Sequence, residues 1–186
     1  MTVEHPIREA GLAARLDRPV VLVGLMGVGK STVGKRLANA LSLPFHDADE
    51  AIVEAAQMNI ADIFAELGEA NFRDGERRVI ARLMDSGPSV IATGGGAFCH
   101  PETRALVLER GIAVWLDARI DTLVARTGRR DTRPLLRGGD PRQILTRLAA
   151  ERGPIYGEAP IHVMSDDGPH SATVERLMEA LDAWLK

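Results

Sequence analysis

The stretch VVLVGLMGVGKSTVGKRLANAL at residues 20–41 joins an apolar run to a glycine-rich turn and then to an amphipathic segment. Val20–Val23 is short, apolar and β-branched, which predicts a buried strand, whereas Val33 and Leu37 recur at helical spacing. Between them, residues 24–31 satisfy the pattern G-x-x-x-x-G-K-[ST] in the strand-to-helix context that the motif requires. The stretch therefore predicts a phosphate-binding loop at the end of a central strand.

The residue types of this loop suit the phosphates of a nucleoside triphosphate. Glycines let successive backbone N–H groups turn inward, and the positive end of the following helix adds to the field. Lys30 is expected to bridge the β- and γ-phosphates, and the Ser31 hydroxyl to bind Mg²⁺. An incidental lysine in a plain turn is disfavoured, because the chain has three lysines and twenty arginines. The residues predicted to line the phosphates are Gly27, Val28, Gly29, Lys30, Ser31 and Thr32.

Short β-branched runs alternate with longer amphipathic segments along the rest of the chain, which is typical of a parallel sheet flanked by helices. We predict a three-layer α/β fold with a five-stranded parallel sheet. The predicted strands are Val20–Val23, Pro44–Asp47, Ser89–Ala92, Ala113–Leu116 and Ile161–Met164. Beyond the helix that follows the loop, the predicted helices are Ala51–Met58, Ile60–Leu67, Glu69–Met84, Pro101–Arg110, Arg119–Thr127, Pro141–Tyr156 and Thr173–Lys186.

Length and composition fit one globular domain. The 186 residues are 45% hydrophobic and 26% charged, so we predict an N-terminal extension over residues 1–18 and a single domain over 19–186.

The stretch GRRDTRPLLRGGD, residues 128–140, has neither helical nor strand periodicity and predicts a mobile lid. A net charge of −3 favours neither nucleic acid nor an anionic membrane as a partner. The chain has one cysteine, Cys99, which fits a reducing compartment, and we predict no leader or membrane segment. We therefore expect a cytoplasmic protein. We also expect a monomer.

Polar residues follow the second predicted strand. Because parallel sheets hold ligands beyond the carboxyl ends of their strands, these residues indicate where a molecule that accepts the phosphate would bind. Asp47 is placed to face the water shell of the metal. Asp49, two residues on, is placed to accept a hydrogen bond from a substrate hydroxyl. Capping of the next helix is the alternative role for Asp49.

Two further patterns have both a functional and a structural interpretation. Three successive glycines, Gly94, Gly95 and Gly96, follow the third strand; they indicate either a close approach by another group or a flexible turn. Arg73 and Glu76 lie three residues apart on one predicted helix and therefore share a face. They form either a surface ion pair or a pair in which Glu76 orients Arg73 toward a substrate carboxylate.

Together these motifs resemble the shikimate kinase family, in order from about Pro19 to the last helix. The resemblance rests on the phosphate-binding loop, Asp-x-Asp after the second strand, Phe-Arg with a later Glu, the three glycines, RPLL in the lid and RGPIY on the next helix. It implies a P-loop kinase that transfers the γ-phosphate of ATP, with Mg²⁺, to the 3-hydroxyl of shikimate.

The resemblance also implies roles for individual residues. Asp49 would bind ring hydroxyls, including the attacking one, and Arg73 and Arg152 would hold the carboxylate beside the three glycines. Arg133 would close with the lid onto the transferring phosphate. Arg126 and Pro169 would contact adenine. Lys30, Asp49 and Arg133 are thus the expected catalytic residues, with Asp47 in the outer shell of the magnesium ion.

Two other functions remain open at this point. A gluconate-type or other small-molecule kinase has the same loop, and gluconate also carries a carboxylate, although Asp49 and the three glycines disfavour it. A non-catalytic nucleotide-binding module is disfavoured because the chain retains Lys30, Asp47, Asp49 and Arg133.

Overall fold

The computed structural model describes residues 10–128, 139–165 and 168–186. Within these ranges the strands are β1 Val20–Val23, β2 Phe45–Asp47, β3 Val90–Ala92, β4 Ile112–Asp117 and β5 Ile161–Met164. The helices that follow β1 are α1 Lys30–Leu41, α2 Ala48–Ala56, α3 Ile60–Met84, α4 Pro101–Arg110, α5 Ile120–Thr127, α6 Pro141–Tyr156 and α7 His170–Trp184. A single 3₁₀ turn, Ala97–Cys99, lies between β3 and α4.

The five strands form one parallel sheet in the order β2-β3-β1-β4-β5, flanked by helices. This arrangement confirms the predicted α/β fold. Strand β1 lies at the centre, fully buried, and β3 and then β2 lie beside it. Because neighbouring parallel strands end at the same edge, the loops after β1, β2 and β3 meet there.

Most predicted elements agree with the structure to within three residues, and the differences have local causes. Helix α2 begins at Ala48 rather than Ala51 because the Asp47 side chain caps its first turn. The two helices predicted over residues 60–84 form one helix interrupted at Gly68, whose φ of 78° and ψ of 168° break the helical path. Helix α7 begins at His170, three residues earlier than predicted.

The apolar residues form a large core around the sheet and a smaller one between α2 and α3. The smaller core consists of Ile52 from α2 and Ile63, Phe72 and Val79 from α3, each at most 9% exposed. It fixes α3 against α2, so that residues 73 and 76 are carried by a packed helix rather than by a loop. No helix in the described ranges is long and apolar enough to cross a membrane.

The end of the predicted N-terminal extension packs onto the domain. Residues 10–13 are helical, and Leu12 and Leu16, 2% and 4% exposed, belong to the large core. Arg15 also forms an ion pair with Asp182 of α7. The domain boundary at residue 18 stays a prediction. The lid over 128–140 also stays a prediction, since residues 129–138 lie outside the described ranges.

Candidate active site

The loop after β1 has the backbone geometry of an anion-binding turn. Gly29 precedes α1 with φ of 101°, and glycine has no side chain to cap the N–H groups of the first helical turn. Lys30 is only 8% exposed, and its ammonium donates to the carbonyl oxygens of Gly24 at 2.7 Å and Leu25 at 2.9 Å. The loop thus holds one buried cation beside the positive end of a helix, as phosphate binding requires.

Asp47 links the phosphate-binding loop to the acceptor side. Its Oδ2 accepts a hydrogen bond from the Ser31 hydroxyl at 2.6 Å, and its Oδ1 accepts from the backbone N–H of Asp49 at 3.1 Å. The capping role considered for Asp49 therefore belongs to Asp47, which leaves the Asp49 carboxylate for another partner.

The Ser31 and Asp47 oxygens fit a magnesium site of the P-loop type. Such a site needs one hydroxyl and a water-bridged carboxylate from the protein, while phosphate and water oxygens complete the octahedron. The described part of the chain contains no group of three or more His, Cys, Asp or Glu residues able to hold a metal ion.

The Asp49 carboxylate lies in a partly buried position between charges of both signs. Burial and the neighbouring Asp47 raise the pKa of Asp49, and Lys30 and Arg73 partly oppose this. A carboxylate with a raised pKa is a better hydrogen-bond and proton acceptor than an exposed aspartate. The electrostatics fit the predicted contact with a substrate hydroxyl.

Arg73 is held by a buried carboxylate on its own helix. Its Nη1 donates to Glu76 Oε2 at 2.6 Å, and Glu76 is 1% exposed. Burial raises the pKa of Glu76, while Arg73 lowers it. The pair is therefore not a surface ion pair; Glu76 fixes one edge of the guanidinium.

The three glycines lie against the side chains predicted to bind the acceptor. A Cβ atom on Gly94 would stand 2.7 Å from Asp49 Oδ1, and one on Gly96 would stand 2.6 Å from Arg73 Nη2. At Gly95 the nearest atom, at 3.3 Å, is the backbone nitrogen of Met26 in the phosphate-binding loop. Close approach, rather than flexibility, accounts for this sequence.

Arg152 reaches the same glycine loop from α6. Its Nη1 donates to the carbonyl oxygen of Gly95 at 3.1 Å, and the hydroxyl of Tyr156 donates to the same oxygen. Asp49, Arg73 and Arg152 thus converge on residues 94–96 beside the phosphate-binding loop. The sequence motif contained Tyr156, but no role was predicted for it; its position one helical turn after Arg152 was the available signal.

Of the two residues predicted to contact adenine, Arg126 has defined contacts in the structure. Arg126 Nη1 donates to the Val28 carbonyl and to the Ser165 hydroxyl, both at 3.1 Å, which places it over the phosphate-binding loop. Pro169 immediately precedes α7. Ser165 and His170 belong to the segment before α7 that was interpreted as the adenine loop, in which only Pro169 was assigned a contact; the His170 ring lies beside Gly29. Arg133 falls outside the described residues.

A phosphate-binding loop after the central strand of a 2-3-1-4-5 parallel sheet, beside a cluster of one carboxylate and two arginines, defines a P-loop small-molecule kinase. The family model "Shikimate kinase" matches residues 26–182. The chain belongs to the shikimate kinase family and is an ATP-dependent kinase.

Individual relatives agree with this assignment. A shikimate kinase of Novosphingobium aromaticivorans is 60% identical over 94% of this chain and 92% of its own, and one of Caulobacter vibrioides is 57% identical over 91% and 85%. The structure of an Acinetobacter baumannii shikimate kinase in complex with shikimate has a TM-score of 0.85 and 34% identity, covering 90% of this chain and 94% of that one. A gluconokinase of Sinorhizobium meliloti, 18% identical with a TM-score of 0.62 over 92% of this chain and 95% of that one, shares the fold alone.

Proposed function

We propose that this chain transfers the γ-phosphate of ATP to the 3-hydroxyl of shikimate, giving shikimate 3-phosphate and ADP. The observation that carries the proposal is the convergence of Asp49, Arg73 and Arg152 on residues 94–96, next to Met26 of the phosphate-binding loop. This convergence supports a role for Asp49 in accepting a substrate hydroxyl and for the two arginines in binding a carboxylate beside the phosphate-binding loop.

The donor half consists of the loop and its two polar side chains. Backbone N–H groups of residues 27–32 hold the phosphates, and the Lys30 ammonium neutralises charge on the β- and γ-phosphates as the bond to the leaving oxygen breaks. Ser31 and water-bridged Asp47 would hold Mg²⁺, which when bound supplies charge neutralisation on the phosphate oxygens. Their 2.6 Å contact supports a shared partner at this position.

The acceptor half positions one hydroxyl and one carboxylate of the substrate. Asp49 accepts a hydrogen bond from the attacking hydroxyl, aligns its oxygen with the γ-phosphorus and takes the proton late in the transfer. Arg73, fixed on one edge by Glu76, and Arg152 grip the carboxylate as forks. Polyols that lack an acid group would leave these guanidinium groups unpaired and would be rejected.

The remaining assignments complete the nucleotide site. Arg126 and Pro169 contact adenine, and the position of Arg126 over Val28 supports this role. Arg133 closes with the lid onto the transferring phosphate, stabilises its charge and helps to exclude water. We expect a cytoplasmic monomer that does not bind nucleic acid, in agreement with the net charge of −3.

A coupled assay of ADP release tests the proposal. Purified protein is given MgATP alone, or MgATP with shikimate, gluconate, quinate or a nucleoside monophosphate at matched concentration. The expected result is turnover that depends on shikimate and stops when EDTA removes Mg²⁺. Turnover with gluconate or a nucleotide, and none with shikimate, would overturn the proposal.

A further inference from the structure

The carbonyl groups of the three glycines are held by different kinds of donor. The Gly94 carbonyl accepts from the backbone N–H of Ala97 at 3.2 Å, and that of Gly96 accepts from the N–H of Cys99 at 3.1 Å. The Gly95 carbonyl instead accepts from two side chains of α6, Arg152 and Tyr156. Since glycines have no side chains to restrict their peptide planes, these bonds set the orientation of the loop.

Tyr156 is built into the core so that its hydroxyl meets this carbonyl. The residue is 1% exposed, and its ring lies 6.0 Å from the ring centroid of Trp115 on β4. Burial is the main cause that raises the pKa of the Tyr156 hydroxyl, with Cys99 adding to the effect, so the group stays a proton donor throughout the pH range of an assay.

The Gly95 carbonyl, to which both side chains donate, connects Tyr156 to Arg152. Residues 152 and 156 are four apart, so their side chains leave the same face of α6. The carbonyl oxygen has two lone pairs and can accept from both. If the tyrosine hydroxyl is lost, the Gly95 peptide plane can rotate, and the guanidinium of Arg152 loses the fixed acceptor that orients it.

We propose that Tyr156 is a positioning residue for shikimate: its hydroxyl fixes the Gly95 carbonyl, which in turn orients Arg152 toward the substrate carboxylate. The inference rests on the proposed function of Arg152. It assigns Tyr156 a specificity role in addition to its packing role in the core.

The test is Tyr156→Phe, which keeps the ring and removes the hydroxyl. Loss of one hydrogen bond in the acceptor site is expected to raise the KM for shikimate roughly 3- to 10-fold. The KM for ATP and kcat stay within about twofold, because the bond belongs to the acceptor side and is present in both the ground state and the transition state. Unchanged shikimate KM together with a lowered Tm would show a purely structural role and would overturn the proposal.

Ser89→Ala is the control for the loss of a buried hydroxyl as such, since the Ser89 hydroxyl has no hydrogen-bond partner among the described residues. Ser89 is fully buried and immediately precedes β3, whereas the glycine loop follows the carboxyl end of that strand. Its loss also removes one buried hydroxyl, but both KM values should remain those of the wild type. A similar rise in shikimate KM in this variant would mean that any buried deletion loosens the site.

Combination with Arg152→Lys tests whether Tyr156 acts through Arg152. The double variant is expected to raise the shikimate KM by less than the product of the two single effects. Once Arg152 is replaced, loss of the Tyr156 hydroxyl no longer has an arginine to misorient. Independent, multiplying effects would contradict the proposed connection.

A spectroscopic measurement avoids substitution by another residue. Tyr156 is the single tyrosine of the chain, so 3-fluorotyrosine labelling gives one ¹⁹F signal. We expect shikimate to shift it and MgADP alone to leave it nearly unchanged; no shift with saturating shikimate would contradict the proposal. If the wild type shows no shikimate-dependent turnover, the proposed function itself has failed, which is a separate result.

Discussion

Arg73→Lys tests the carboxylate grip because it keeps the positive charge and removes the planar fork. In the structure one edge of the Arg73 guanidinium is occupied by Glu76, at 2.6 Å from Nη1. The side chain is 18% exposed and Glu76 is 1% exposed, so solvent screens the pair little. A lysine would retain the contact with Glu76 but would offer a single donor point to the substrate.

The expected magnitude follows from the bond that is lost. Two parallel charge-assisted bonds to a carboxylate become one, and a hydrogen bond to a charged group contributes about 1.5–3 kcal/mol. This corresponds to a rise of roughly 10- to 100-fold in the KM for shikimate. The KM for ATP should stay near its wild-type value, because the arginine lies against the glycine loop at Gly96, on the acceptor side.

Initial rates of ADP release, with each substrate varied in turn, measure both KM values. Arg78→Lys is the matched control: it lies on the same helix, its side chain is 71% exposed, and it pairs with Asp74 at 3.1 Å. Both KM values should be unaffected in the control. A wild-type shikimate KM in Arg73→Lys, or an equal rise in both KM values, would refute the reasoning.

Three further predictions address the transfer itself. Lys30→Met should nearly abolish turnover while circular dichroism shows a folded protein, and substantial residual activity would exclude the role of Lys30. Because burial raises the pKa of Asp49, the fall of kcat/KM on acidification should begin at a higher pH than an ordinary aspartate would give. The folded protein binds that proton more tightly than the unfolded chain does, so stability is lost as pH rises through the raised pKa; Asp49→Asn should therefore increase Tm at neutral pH while it removes activity, and a lower Tm would argue against the burial cost. Arg133→Ala should lower kcat with little change in ATP binding measured by calorimetry, and an unaltered kcat would exclude the lid arginine.

Local patterns with strict geometry could be predicted from the sequence. Strands β1 and β5 and helices α4 and α6 have the predicted bounds, because buried β-branched runs and proline at the start of a helix are strong signals. The phosphate-binding loop was equally clear, since each of its residue types has one physical purpose there.

Features that depend on tertiary contact could not be predicted to the same depth. The close packing of Gly94 and Gly96 against Asp49 and Arg73 appears in the sequence only as three glycines, for which a flexible turn was the alternative explanation. The sequence predicted that Asp47 faces the metal and Asp49 the substrate, but it left open whether Asp49 caps the next helix; the structure shows that Asp47 is the cap. Neither local propensity nor spacing contains that information.

The most direct test of the acceptor site compares shikimate with its methyl ester, which keeps every hydroxyl and removes the negative charge. If Arg73 and Arg152 grip the carboxylate, kcat/KM for the ester should be lower by at least roughly 100-fold, since an unpaired and largely desolvated guanidinium is strongly unfavourable. Equal kcat/KM values for the acid and the ester would contradict the central claim, because the two arginines would then have no part in substrate recognition.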